Sequence, residues 1–397
     1  MNRRGPMLRD VVVVDAVRTP QGRSGGGLAG MHSSALLGLT QKAVIERSGI
    51  DPIHVDQVIG GCINQSGAQS TNITRTSWLA AGLPMSVAAT TIDSQCGSSQ
   101  QALGLAASLV GSGVIEVAVA CGVESMSQFP VATSRKAGPG EPITAPSRMH
   151  YEWISQFDAA ERIAAKWGVT RSECDELGLA SQTNASQAWA EGRFDGQVIA
   201  VDAPVIGEDG VATGALRHVA RDEGLRATSL EALGRLKPVG RPDSVHTAGT
   251  ASQLADQSSA VMIASAERAA ELGLKVRARI VDHCLVGTDP VLMLTGPMEA
   301  TRLLLQRSGL SMSDIDIFEI NEAFASVVIA WARETRAPLE RTNPNGGAIA
   351  IGHALGSTGT RLVTTAVHEL ERSDKEWALV SMCCGGGLGT GTLLQRV

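Results

Sequence analysis

Aromatic side chains are scarce in this chain: they make up 3% of its 397 residues, and there is a single tyrosine. Stacked rings are therefore excluded as the main source of its core packing. An excess of positive charge is missing too, since 34 Lys and Arg stand against 40 Asp and Glu for a formal net charge of −6. That balance excludes a general nucleic-acid binder, while a local basic patch for an anionic ligand remains compatible with it. The first apolar run, VVVV at 11–14, is too short for a signal-peptide core or a membrane span. The expectation is a cytoplasmic protein without membrane insertion. Seven cysteines (62, 96, 121, 174, 284, 383 and 384) show no CxxC pair and no framework spacing, so they read as reduced thiols. None lies at ligand spacing from a histidine pair, and no metal site is expected. The pattern GxxxxGK[ST] is absent, which excludes a P-loop.

What is present is the composition of a soluble enzyme, 43% hydrophobic and 19% charged with 44 glycines, and length for two or three domains. The chain also repeats itself. IERSGIDPIHVDQVIGG at 45–61 aligns without gaps on LQRSGLSMSDIDIFEIN at 305–321, an offset of 260. The same offset places EVAVACGV (116–123) on EWALVSMC (376–383), and VVVDA (12–16) resembles RIVDH (279–283) at an offset of 267. The first pair reads as a helix end, a Gly stop, a short loop and a buried strand. Short apolar strands alternating with helices predict an α/β layered fold with largely parallel strands. Apolar stripes at Ala102, Ala106 and Leu109, and at Leu362, Val363, Ala366, Val367 and Leu370, mark two helices buried between layers. Two related halves packed face to face make five layers. The expected division is an N-terminal half at 1–127 completed by about 254–275, an inserted lobe at 128–253 that covers a ligand, and a C-terminal half at 276–397.

Three turns carry reactive side chains. QCGSSQQA (95–102) places Cys96 at the opening of a helix, with Asp93 or Ser94 as its cap. A helix start lowers a thiol's pKa from its usual value of about 8.5. CCGGGLG (383–389) puts Cys383 at a strand end before Gly385, Gly386, Gly387 and Gly389, whose amides can face a ligand oxygen. Cys384 points to the opposite side of the extended chain. NGGAIAIGHALGSTG (345–359) sets His353 among glycines, an unusual setting for a packed structural histidine. Asn321 in NEAF ends a strand, where polar side chains line α/β clefts. Thiols and an imidazole that reach one substrate point to acyl transfer through a covalent thioester.

Each feature has a plainer reading. Cys96 alone suits a small buried apolar position, CCGGGLG a tight turn, and Asn321 a turn residue. Gly25, Gly27 and Gly30 satisfy GxGxxG, but RTPQGRS separates them from the preceding strand, against a dinucleotide loop. Residues 217–241 carry Arg217, Arg221, Arg226, Arg235, Lys237 and Arg241 against Asp222, Glu223 and Glu231. That net basic segment suits a phosphorylated cofactor, and a solvated surface explains any single member of it.

With these motifs in order, the chain resembles the thiolase family over essentially its whole length. QCGSSQQA is similar to the family's nucleophile motif, NEAF to its asparagine motif, GGAIAIGH to its histidine motif and CCGGGLG to its second-cysteine motif. TAGTASQLAD (247–256) is similar to its coenzyme A segment. QFDAAERIA, WAEGRFD and GLRATSLEALGRLKP resemble degradative 3-ketoacyl-CoA thiolases, and among them bacterial enzymes that shorten sterol side chains. The resemblance implies duplicated α/β halves in five layers with an inserted loop domain. It implies an acetyl-CoA C-acyltransferase that cleaves 3-ketoacyl-CoA, with coenzyme A as co-substrate and no permanently bound cofactor. Cys96 would be acylated, Cys383 would act as acid and base, and His353 would activate Cys96. Asn321 would hold a water, and the amides of Cys96 and Gly385 an oxyanion. Ser252 matches a pantetheine contact, Phe324 a residue near the acyl end and Arg226 a nucleotide contact. Homodimers or homotetramers are implied as well. Two departures bear on the acyl pocket: Ala354 stands where the family has proline, and QCGSSQQA lacks the commoner serine-glycine order. Condensation of two acetyl-CoA molecules is the alternative reaction, and an acyl-CoA carrier the alternative without chemistry.

Overall fold

In the computed structural model, which describes residues 9–207 and 210–397, the chain opens with alternating strands and helices. They are β1 (Val11–Arg18), β2 (Gly22–Arg23), α1 (Ser33–Ser48), β3 (Gln57–Gly61), α2 (Ile73–Ala80), β4 (Ala88–Ile92), α3 (Ser98–Gly111) and β5 (Val117–Ser125). A mostly helical stretch follows: α4 (Thr133–Lys136), α5 (Ala145–His150), α6 (Gln156–Trp167), α7 (Arg171–Ala190), the hairpin β6 (Val201–Ile206) and β7 (Ala212–Val219), and α8 (Leu230–Gly234). Then come β8 (Ala255–Ser265), α9 (Ala266–Glu271), β9 (Ala278–Gly287), α10 (Gly296–Ser308), β10 (Ile317–Ile320) and α11 (Ala325–Thr335). The chain closes with α12 (Ala348–Ile351), α13 (Thr358–Ser373), β11 (Trp377–Cys384) and β12 (Leu388–Arg396).

The repeat survives at the level of single hydrogen bonds. α1 stops at Ser48 with Gly49 left-handed at φ 73°, and α10 stops at Ser308 with Gly309 at φ 76°. One turn of 3-10 helix follows in each copy, Pro52–His54 and Met312–Asp314. β3 pairs parallel with β5 from Gln57↔Ala118, and β10 with β11 from Ile317↔Ala378, the same register one repeat later. Asp56 accepts from the amides of Glu116 and Val117 at 2.8 and 2.9 Å, and Asp316 from those of Glu376 and Trp377 at 3.1 and 3.0 Å.

Strand faces alternate, and each face finds a helix layer. Val12, Val14 and Val17 of β1 pack with Leu36, Leu37, Ile73 and Trp78 of α1 and α2. Val11, Val13 and Ala16 face the other way, onto Ala102, Leu103, Leu362 and Val363 of α3 and α13. The same central cluster takes in Ile317, Ala378, Val380 and Leu394 from β10, β11 and β12. The far side of those strands, through Phe318, Ile320 and Leu379, packs on Leu304, Val328 and Trp331 of α10 and α11. Helices, sheet, helices, sheet and helices make the five layers.

One feature departs from the sequence reading, the expectation of largely parallel strands. Among the described residues, β3–β4, β3–β5 and β10–β11 are the parallel pairs, whereas β1–β8, β5–β8, β1–β9, β9–β12 and β11–β12 are antiparallel. The reason is local: β11 returns as β12 through Gly385–Gly387, with Gly386 and Gly387 at φ 79° and 78°, a link too short for a crossover. The two sheet layers are also hydrogen-bonded to each other at one seam. β1 and β9 pair antiparallel at Val11↔Ile280, Val12↔Arg279 and Val13↔Ala278, which joins everything but the β6–β7 hairpin into a 10-stranded sheet. The corresponding strands of the two copies therefore meet each other, symmetrically about Val12 and Arg279. Among the described residues, no helix is long and apolar enough to cross a membrane.

Each repeat aspartate ties two amides at the foot of its sheet half, and losing it forfeits those bonds at a cost of about 1–2 kcal/mol. Urea denaturation of Asp56→Ala and Asp316→Ala is expected to show similar losses of that size in both. A neutral result for either would show that the paired clamps do not stabilise the copies alike.

Candidate active site

Cys96 sits in the turn between β4 and α3. Gln95 adopts φ 53° there, a strained conformation for a residue with a Cβ. Its amide donates to Asp93 Oδ1 at 2.7 Å, and Ser98 Oγ donates to its carbonyl at 2.6 Å. The helix begins at Ser98 after Gly97 with no side-chain cap, which corrects the expectation that Asp93 or Ser94 caps it. Cys96 is 7% exposed. Burial pushes its thiol up to about 11, against the amides of Gly385 and Cys96 itself, which donate to the sulfur, while Glu124 and Asp93 push further up. A lowered thiol pKa was expected from the helix start. Enclosure outweighs that pull.

Cys383 and Cys384 face opposite sides of β11, as the pleat demands. Cys383 joins the outer cluster with Phe318, Ile320 and Phe324, and Cys384 the central one. Burial raises the Cys383 thiol far above its ordinary range, and the neighbouring Cys96 raises it further. Cys384 lies tight against Gly97, where an added Cβ would come within 2.5 Å of its sulfur.

His353 is 4% exposed. Its Nδ1 lies 2.7 Å from Thr358 Oγ1, and that hydroxyl donates to Ala354 O at 2.9 Å. The hydroxyl proton is thereby committed, so Nδ1 carries the ring proton and Nε2 is left as a base, 3.4 Å from Asn321 Nδ2. Burial, with the Arg361 cation behind it, lowers His353 to about 3 and keeps the imidazole neutral. Asn321 follows β10, and its amide donates to Ser381 O at 3.0 Å, beside the strand that ends in the two cysteines. The starts of α3 and α13 touch: Thr360 N donates to Ser99 Oγ at 3.1 Å. Cys96 thus lies by Gly385 and Cys383, and His353 by Asn321, with the starts of the helices that follow Cys96 and His353 in contact.

The segment 247–256 threads between these parts. Ser252 N donates to Ala323 O at 3.0 Å, Ala325 N to Thr250 O at 2.9 Å, and His353 N to Gln253 O at 2.8 Å. Phe324 is buried, edge-on to Phe157 at 5.2 Å and to His246 at 5.3 Å. Arg226 stands apart from the thiols. Its amide donates to Gln182 Oε1 at 2.9 Å, and its guanidinium lies 3.4 Å from Gln253 Oε1, one residue from Ser252. Elsewhere in the basic segment, Arg235 pairs with Glu231 and Arg241 with Asp243. Of the glycines at 25–30, Gly25 takes a left-handed turn at φ 68°, Gly27 N donates to Glu223, and Gly30 abuts Pro204 and Ile206.

Sequence reasoning missed the residues that hold the site. The Glu124 carboxylate, fully buried, accepts from the amides of Ile63, Asn64 and Gly356 and the side chains of Asn64 and Gln69 at 3.0–3.2 Å. It pins the loop after His353 to the loop after β3. Glu322 likewise accepts from Ser181 Oγ, Asn343 Nδ2 and Ile349 N. An acidic residue closing the apolar run VAVACGV was the available signal for Glu124. Thr358 carried no signal until the loop was folded. Thr358→Val strands the Nδ1–H of His353, and a buried hydrogen bond lost at about 1–3 kcal/mol is expected to slow iodoacetamide alkylation of Cys96 about tenfold. A rate within about twofold of the wild type, with circular dichroism unchanged, would separate His353 from Cys96.

Comparisons with known proteins agree with this geometry. Residues 11–267 match the family of thiolase N-terminal domains and residues 274–396 that of thiolase C-terminal domains. Steroid 3-ketoacyl-CoA thiolase FadA6 of Mycobacterium tuberculosis is 43% identical, with 100% of this chain and 96% of that protein covered. A beta-ketoadipyl-CoA thiolase of Pseudomonas knackmussii is 40% identical over 98% of this chain and 100% of that one. The crystal structure of human mitochondrial 3-ketoacyl-CoA thiolase in complex with CoA superposes with a TM-score of 0.89 at 33% identity, covering 100% of both chains. The chain belongs to the thiolase family and is an acyltransferase.

Proposed function

We propose that this acyltransferase cleaves 3-ketoacyl-CoA thioesters with coenzyme A as co-substrate. The observation that carries the reading is the Cys96 sulfur, which accepts from the Gly385 amide and lies close enough to Cys383 to raise its thiol, while a neutral His353 stands beside Asn321. Cleavage needs a nucleophile at the keto carbon and a way to release a carbanion, which is accessible only as an enolate with hydrogen-bonded oxygen. Cys96 gives its proton to His353 Nε2 and attacks the keto carbon, with the amides of Cys96 and Gly385 receiving the oxyanion. The bond between the second and third acyl carbons breaks. Acetyl-CoA leaves as an enolate, its oxygen near His353 and a water on Asn321, and takes a proton from Cys383. The Cys383 thiolate then accepts the proton of coenzyme A, whose sulfur displaces the shortened acyl group from Cys96. The imidazolium returns its proton to Cys96.

Ser252 and Phe324 are assigned to the pantetheine and acyl ends, and Arg226 to the nucleotide. Residues 128–253 are assigned as the lobe that covers the coenzyme. Supporting this, Gln156 at the start of α6 comes within 3.6 Å of a Cβ built on Gly385. The relatives above are named for steroid 3-ketoacyl and β-ketoadipyl substrates, which favours cleavage over the condensation of two acetyl-CoA molecules. For the acyl group we infer a bulky lipid- or steroid-derived skeleton. Met149, Tyr151, Trp153 and Phe157 stand exposed on the segment that leads to Phe324, an apolar lip longer than an acetyl group needs. The cysteines, all free among the described residues, support a cytoplasmic setting. β4, the free edge of the large sheet, supports a homodimer that covers that edge, with homotetramers as the next level.

Thiolysis assayed across acetoacetyl-, long-chain and steroid-derived 3-ketoacyl-CoAs is expected to give its highest kcat/KM on a steroid-derived substrate. Highest efficiency on acetoacetyl-CoA would refute the acyl assignment, and no thiolysis of any of them would refute the function.

A further inference from the structure

Six buried side-chain atoms without a hydrogen-bond partner among the described residues belong to three neighbours: both carboxylate oxygens of Glu319, Nε, Nη1 and Nη2 of Arg361, and Oδ1 of Asn321. Glu319 and Arg361 are fully buried and Asn321 nearly so. Alternation along β10 sets Glu319 and Asn321 on one face, because Phe318 and Ile320 pack outward and Ile317 packs inward. The inward face meets α13, the helix of Arg361. Burial raises the Glu319 carboxyl to about 8, against the pull of Arg361, and no hydrogen bond joins the two.

The other charges near Arg361 are already answered. Arg18 and Asp222 bond to each other at 2.7 and 3.0 Å, and Glu322 is held by Ser181, Asn343 and Ile349. Of the acidic groups that stabilise the guanidinium charge, Glu319 contributes most, ahead of Glu322, and it alone of the two has no hydrogen bond. A carboxylate and a guanidinium enclosed with every polar atom unpaired would lose their hydration with no compensation, and buried polar groups in folded proteins are satisfied by protein or by ordered water.

We propose that Glu319 and Arg361 form a water-bridged pair, and that its enclosed waters continue past the end of β10 to the Asn321 amide oxygen. Glu319 and Arg361 are positioning residues, since neither touches a reacting atom. The waters orient Asn321, which presents Nδ2 to His353 Nε2 at 3.4 Å, and Glu319 prevents the guanidinium charge from acting alone on the imidazole.

The inference rests on the thiolytic reading. A wild-type protein inactive on every 3-ketoacyl-CoA sinks that reading, whereas the inference is read from variants of an active enzyme. The test combines a wild-type crystal structure that resolves waters with thiolysis kinetics and melting of Glu319→Gln. Ordered waters should link Glu319, Arg361 and Asn321, and kcat should fall at least about tenfold while KM for coenzyme A stays within about twofold. If that variant does not fold, the same split is read from Glu319→Gln/Arg361→Gln, which leaves no buried charge unpaired. A smaller loss of kcat in the folded variant, or a direct Glu319–Arg361 contact with no water between, overturns the proposal.

Discussion

The thiols of Cys96 and Cys383, the imidazole of His353 and the carboxylates of Glu124 and Glu322 are all enclosed, and burial penalises the charged form of each. Groups held this way are either neutral or matched by hydrogen bonds on every side, and the site is organised by that demand. The carboxylates are matched. Glu124 gathers donors from two loops, and Glu322 ties the turn after β10 to α7 and α12. His353 and Cys96 stay neutral. The resting enzyme therefore holds a protonated thiol and an unprotonated imidazole, and under the proposed mechanism the nucleophile forms by proton transfer inside the closed site. A standing thiolate at a helix start is not needed.

Duplication explains how residues so far apart in the chain reach one substrate. The antiparallel pairing of β1 with β9 is symmetric about Val12 and Arg279, and it brings corresponding elements of the copies together around the central layer. α3 and α13 are such a pair, and their first turns touch through Ser99 and Thr360. The loop before α3 supplies Cys96 and the loop before α13 supplies His353. One copy thus brings the proposed nucleophile and the other the proposed base, with Asn321 and the hairpin of Cys383 added by the second. Neither copy alone holds the set.

Much of this was legible in the chain. Shared offsets exposed the duplication, because helix stops, short turns and buried strands leave a spaced pattern of Gly and apolar residues. His353 and Cys383 stood out because a reactive side chain among glycines has few packing reasons to be there, Cys96 as a thiol opening a helix and Asn321 as a polar side chain at a strand end. The mixed strand direction was not legible: apolar strands between helices look alike whether they run parallel or return, and the β1–β9 seam joins residues about 267 positions apart. Nor were Glu124, Thr358 and Glu322, whose roles exist only once separate loops are folded against them. The thiol pKa was read in the wrong direction for a related reason. A helix start is visible in sequence, whereas the enclosure that outweighs it is a tertiary property.

The central claim is that Cys96 carries the acyl group. Incubating the protein with a 3-ketoacyl-CoA without free coenzyme A, quenching in acid and mapping the digest by mass spectrometry reads this directly. The shortened acyl mass is expected on the peptide that contains Cys96, removed when coenzyme A is added before the quench. Acyl mass on Cys383 or Cys384 with Cys96 unmodified would contradict it.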